Sequence, residues 1–116
     1  MKIRKQVNIA TNVTMTASGY VPDSVFDVGN ADKLTFLIRV TNVSGTSPTM
    51  TITSLALIPS IYQYVACEGL TPTISSPWGG AAVATKLGKT MRLYVTIGGT
   101  TPSFTFTLDV IFEQER

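Results

Sequence analysis

Val40-Thr41-Asn42-Val43-Ser44-Gly45-Thr46-Ser47-Pro48-Thr49-Met50-Thr51-Ile52-Thr53 returns, one residue shorter, as Val95-Thr96-Ile97-Gly98-Gly99-Thr100-Thr101-Pro102-Ser103-Phe104-Thr105-Phe106-Thr107. Each copy holds an alternating apolar and polar run, a Gly-Thr-Ser/Thr-Pro break and a second alternating run. Alternation with period two marks strands with one buried face, because successive side chains point to opposite sides. Glycine takes positive φ without penalty, and proline fixes φ while offering no N–H, so pairing has to be interrupted at Gly45, Pro48, Gly99 and Pro102. Each copy therefore reads as two antiparallel strands joined by a turn, and the chain as two related β-hairpins.

The flanks continue the alternation. Leu34, Phe36, Ile38 and Val40 share one face before the first break, with Leu37 on the other. Met91, Leu93, Val95 and Ile97 precede the second break, and Phe104, Phe106, Leu108, Val110 and Phe112 follow it. After Met50 and Ile52, however, Leu55 and Leu57 fall on the polar parity. Either a bulge near Ser54 shifts the register, or these leucines face a neighbour. Residues 1–10, with Lys2, Arg4 and Lys5, read as an N-terminal arm or a charge-guarded edge strand. Residues 11–116 read as a single β-sandwich domain. Ile61–Val65 and Val83–Leu87 are candidate short strands, and Ser76–Gly80 is a loop. About seven or eight strands, no helical periodicity and closely spaced turns define an all-β fold: an antiparallel, jelly-roll-like β-sandwich.

A chain of 116 residues should bury roughly two thirds of its unfolded surface, enough for one core. Its 44% hydrophobic and 14% charged residues leave little to solvate the exterior, so part of the surface should meet a partner. A net charge of +2, with no basic and aromatic interleaving, argues against nucleic acid. Neither an export signal nor an unbroken apolar span of about 18 residues is present, so no membrane segment is expected. The lone Cys67 reads as a small buried hydrophobe rather than a reactive thiol.

The chain contains no histidine, which removes serine and cysteine triads and every histidine metal site. Asp23, Asp27 and Asp32 lie close in sequence but fit turn formation better than a calcium loop or a pair of catalytic carboxylates. Gly79-Gly80 and Gly98-Gly99 lack the lysine and following helix of a phosphate cradle and read as loop glycines. No enzymatic activity and no cofactor are expected. Trp78, between Pro77 and Gly79, either caps the sandwich or contacts a protein, or, with Tyr62 or Tyr64, stacks on sugar. Leu37, Leu55, Leu57, Tyr94 and Ile111 break the polar parity of their strands and are candidates for a subunit interface.

The strand Leu34–Val40, the tip Val43–Thr49 and the string Leu93–Thr107 together resemble small β-sandwich proteins of tailed bacteriophages, namely head-decoration and auxiliary capsid proteins. The resemblance covers residues 30–58 and 88–112. It departs after Thr53, where such chains often carry an acidic, glycine-containing turn followed by Trp and this one has Ser54-Leu55-Ala56-Leu57. It implies a cement protein, made in the host cytoplasm, that binds the major capsid protein on the outer surface of an icosahedral head. It also implies a homotrimer at three-fold positions. Lys2, Arg4 and Lys5 would reach the shell; Leu37, Leu55, Leu57, Trp78 and Tyr94 would supply the remaining protein contacts. A tail, baseplate or head-fibre module is the alternative virion position, and a carbohydrate-binding domain the alternative class.

Overall fold

The computed structural model describes residues 2–21, 25–29, 31–85 and 87–115. Seven strands follow one another: β1 (Lys2–Met15), β2 (Gly19–Tyr20), β3 (Phe26–Asp27), β4 (Lys33–Ile58), β5 (Gln63–Gly69), β6 (Trp78–Ala84) and β7 (Thr90–Glu115). β4 and β7 are 26 residues each. At about 3.3 Å per residue each would extend roughly 86 Å if straight. The longest dimension of the molecule is 47 Å, so both strands must fold over.

They fold over together. β4 and β7 are antiparallel along almost their whole length, from Lys33 opposite Glu113 to Ala56 opposite Met91, with register shifts confined to residues 40–49 and their partners. Beyond the bend, different strands flank each half. The first layer holds β1, the second half of β7, the first half of β4, and β6. The second holds β2 and β3, the first half of β7, the second half of β4, and β5. Phe36, Phe104 and Phe106 from the first layer pack in one cluster with Met50, Ile52 and Leu93 from the second, all fully buried. The result is an all-β antiparallel sandwich made by doubling a two-stranded ribbon over its own apolar face.

This arrangement corrects the two hairpins. Neither Gly45–Pro48 nor Gly99–Pro102 reverses the chain: residues 33–44 do not pair with 49–58, and the two motifs pair with each other. A Gly/Pro interruption permits a corner as readily as a reversal, and alternation within one strand does not say which strand lies opposite. Gly45 (φ +114°) and Gly99 (φ +107°) face each other's strands at this corner. A Cβ on Gly45 would stand 2.7 Å from the Thr101 carbonyl oxygen, and one on Gly99 would stand 2.6 Å from that of Ser47. Ser47 (φ 49°) and Thr101 (φ 45°), each just before a proline, complete a nearly two-fold pair of bulges.

Other expectations shift as well. Trp78–Gly80, read as loop, opens β6, with Trp78, Gly79 and Gly80 opposite Val40, Arg39 and Ile38. Gly98 and Gly99 likewise lie within β7. Glycine suits this edge because neighbouring side chains fill its space: a Cβ on Gly80 would meet the Trp78 indole at 2.7 Å. The bulge near Ser54 exists, but the extra residue is Cys67 on β5, since Ser54 pairs with Glu68 and Leu55 with Ala66. β4 thus keeps its parity and Leu55 and Leu57 stay on the outer face. Fully buried Ser54 seals the bulge: its hydroxyl donates to the Glu68 carbonyl at 3.3 Å and accepts from the Glu68 N–H at 3.2 Å.

Candidate interaction surface

The two layers present two outer faces. On the second layer, Arg92 and Tyr94 alternate with buried Met91, Leu93 and Val95 and therefore point away from the core. Pairing places Leu55 opposite Arg92, Tyr20 opposite Tyr94, and Leu57 opposite Tyr64. The Tyr20 ring meets Tyr94 edge-on at 5.3 Å and tilts 58° against Tyr64 at 6.3 Å. The Arg92 guanidinium lies 3.8 Å from the centre of the Tyr20 ring and 5.9 Å from that of Tyr64. Cations are drawn to ring faces in this way. Leu55, across from Arg92, is only 9% exposed despite its outward position. Arg92 Nε is buried and has no hydrogen-bond partner among the described residues.

The outer face of the first layer is built differently. Leu37 (38% exposed) and Val83 (51% exposed) share it with half-buried Ile111. Polar groups close the rest. Asp109 accepts hydrogen bonds from Gln6 Nε2 at 2.8 Å and Asn8 Nδ2 at 2.6 Å, and Glu113 pairs with Arg4 at 3.1 Å and Lys33 at 2.9 Å. Between edge strands β1 and β3, a cleft of about 410 Å³ is lined by Lys5, Val7, Phe26, Val28 and Phe112 among others.

The candidate contact residues therefore do not form one patch. Leu55, Leu57 and Tyr94 come together on the second layer; Leu37 lies on the outer face of the first. Arg4 and Lys5 lie on β1, an edge strand, while the side chain of Lys2 falls outside the described residues. Trp78 is half-buried against the core, with its indole over Gly80. Gly45, Pro48, Gly99 and Pro102 form the corner. Tyr62, 79% exposed, stands at the turn between β4 and β5. Asp23 and Asn30 lie outside the described residues; Asp27 accepts from Thr90 Oγ1 at 3.1 Å. Among the described residues, no group of three cysteine or carboxylate side chains could hold a metal ion.

The sequence reading missed Tyr20 and Arg92. Arg92, two residues before Tyr94 in a strict alternation, was legible as outward-facing. Tyr20 gave no signal, because only the pairing of a two-residue edge strand brings it to Tyr94.

No family model and no curated protein matches the chain. Solved structures do share its fold. A chain of infectious bursal disease virus, Gx strain, superposes with TM-score 0.66 at 7% identity, over 97% of this chain and 32% of the viral one. The SPBc2 prophage-derived protein YomS gives 0.51 at 13% identity, over 96% of this chain and 95% of its own. The CBM22-1 and GH10 modules of Clostridium thermocellum xylanase 10B, complexed with xylohexaose, give 0.50 at 10% identity, over 94% of this chain and 24% of theirs. This chain thus spans about a third of the viral chain. At these identities the likeness is one of fold.

Proposed function

We propose that this chain is a structural protein of a virus-like particle and, more narrowly, a decoration protein on the outer surface of an icosahedral phage head. The observation that carries the reading is the near-complete superposition on part of a viral chain, joined by the end-to-end match to a prophage-derived protein. The surface agrees with it, since apolar groups lie on both outer faces and a tyrosine cluster on that of the second layer, the composition of a protein contact. The mechanism is mass action: copies that bind only the assembled shell stabilise it in proportion to their occupancy. Contact with the major capsid protein, self-association as a trimer and the absence of enzymatic activity belong to the same proposal.

A carbohydrate-binding module is the competing class, favoured by the superposition on the xylanase modules. Sugar rings need flat, free aromatic faces. Here the Trp78 indole lies over Gly80 and Arg92 covers one face of Tyr20, and although Tyr62 is 79% exposed it stands beside β5, in the other layer from Trp78. The deciding experiment is cryo-electron microscopy, with mass spectrometry, of particles purified from producing cells. Density for the chain outside the head, in symmetric copies, is the expected result. Its absence from the particles removes the virion reading, and its presence only in the tail replaces the head position.

A further inference from the structure

We infer that the outer face of the second layer is a binding site for a carboxylate side chain presented by a protein partner, with Arg92 as the receiving group. A guanidinium carries five N–H donors in a planar fork that matches a carboxylate. That of Arg92 lies against Tyr20 and, among the described residues, its buried Nε has no hydrogen-bond partner and no carboxylate pairs with the group; an incoming carboxylate would meet the terminal Nη groups, which are not among the buried unpaired atoms. Leaving a charged donor desolvated and unpaired is costly, so a counter-charge brought to the same guanidinium would offset part of that cost. The surroundings fit a protein contact: Tyr20, Tyr64 and Tyr94 with Leu57 make the mix of tyrosine, arginine and apolar surface that anchors interfaces. They fit a sugar poorly, because the rings stand tilted and edge-on with no common plane. The partner segment should therefore present Asp or Glu between apolar residues.

The inference does not rest on the particle reading, and its test uses the isolated chain. Acetyl-Leu-Glu-Leu-amide and its Gln counterpart are titrated while the Arg92 Nε–Hε and the Tyr20 and Tyr94 ring signals are followed by NMR. The Glu peptide should shift these signals saturably, with dissociation in the millimolar range, and should bind at least about tenfold more tightly than the Gln peptide. Equal binding of the two, or no saturable shift up to about 20 mM, overturns the inference. Xylohexaose shifting the same signals at lower concentration than the Glu peptide overturns it in favour of sugar. An Arg92 signal moved by Asp23→Asn as far as by the Glu peptide overturns the inference too. Arg92→Met should abolish the response while changing Tm by less than about 5 °C. A larger fall makes Arg92 a structural member of the sheet and overturns the assignment.

Discussion

Replacing Gly45 with alanine forces a methyl group into the corner where the ribbon folds over. Two costs add. An L-residue held at φ +114° loses about 1–2 kcal/mol. The new Cβ would also stand 2.7 Å from one backbone oxygen and 2.9 Å from another, those of Thr101 and Thr100. Backbone in a paired ribbon cannot swing aside like a side-chain tip, and overpacking of this kind costs about 1–3 kcal/mol. The total, about 2–5 kcal/mol, corresponds to a fall in Tm of roughly 8–20 °C for a chain of this size. Gly29→Ala is the internal control: its φ is +65°, but nothing lies within 4 Å of the added atom. It should cost only about 1 kcal/mol. Thermal and urea unfolding followed by circular dichroism measure all three proteins. A Gly45→Ala variant no less stable than Gly29→Ala would refute the close approach of the two motifs. A second readout needs no stability measurement. In a Cys67→Ser background, Thr46→Cys and Thr100→Cys are register partners and should cross-link on oxidation, because opposed strand residues lie about 4.5–5.5 Å apart.

Ser54→Ala leaves the Glu68 N–H without its partner beside a buried bulge and should cost about 1–3 kcal/mol in urea unfolding; a neutral result would mean that water replaces the hydroxyl. Phe106→Ala removes a ring with no exposure and should cost about 3–5 kcal/mol, whereas a loss below about 1 kcal/mol would place Phe106 outside the core. Arg4→Ala breaks an ion pair whose arginine side chain is 63% exposed. It should change stability by less than about 1 kcal/mol, so a marked loss of particle association by this variant would report on contact rather than folding.

The fold class was legible because alternation in Leu34–Val40, Met91–Ile97 and Phe104–Phe112, broken only where apolar Leu37 and Ile111 and the aromatic Tyr94 fall on the outer parity, leaves little choice but half-buried strands, and every apolar-parity residue of these runs except Ile97 and Phe112 is fully or almost fully buried. What alternation does not contain is the identity of the opposite strand. Read locally, the motif repeat gives two copies of one device, whereas its physical meaning is mutual: each glycine is small because the other copy's backbone passes over it. Trp78 was misplaced for a related reason. Two glycines after a proline look like a loop until the indole and the Arg39 side chain are seen to occupy the space they leave. The outer-face residues Leu55, Leu57 and Tyr94 were legible as parity breaks. Their association with Tyr20 and Arg92 arises from pairing between segments far apart in sequence, which no local pattern records.

The shared ribbon also biases the order in which its pairs close. The pair nearest in sequence, Ala56 with Met91, closes the shortest loop, and Lys33 with Glu113 the longest; the difference in closure entropy is roughly 0.7 kcal/mol. Zippering from the inner end would raise the second layer first and reach the first by way of the crossing of Gly45 and Gly99. The crossing thus ties the two layers together in register: whichever closes first, the other can form only if Gly45 and Gly99 meet in the same alignment.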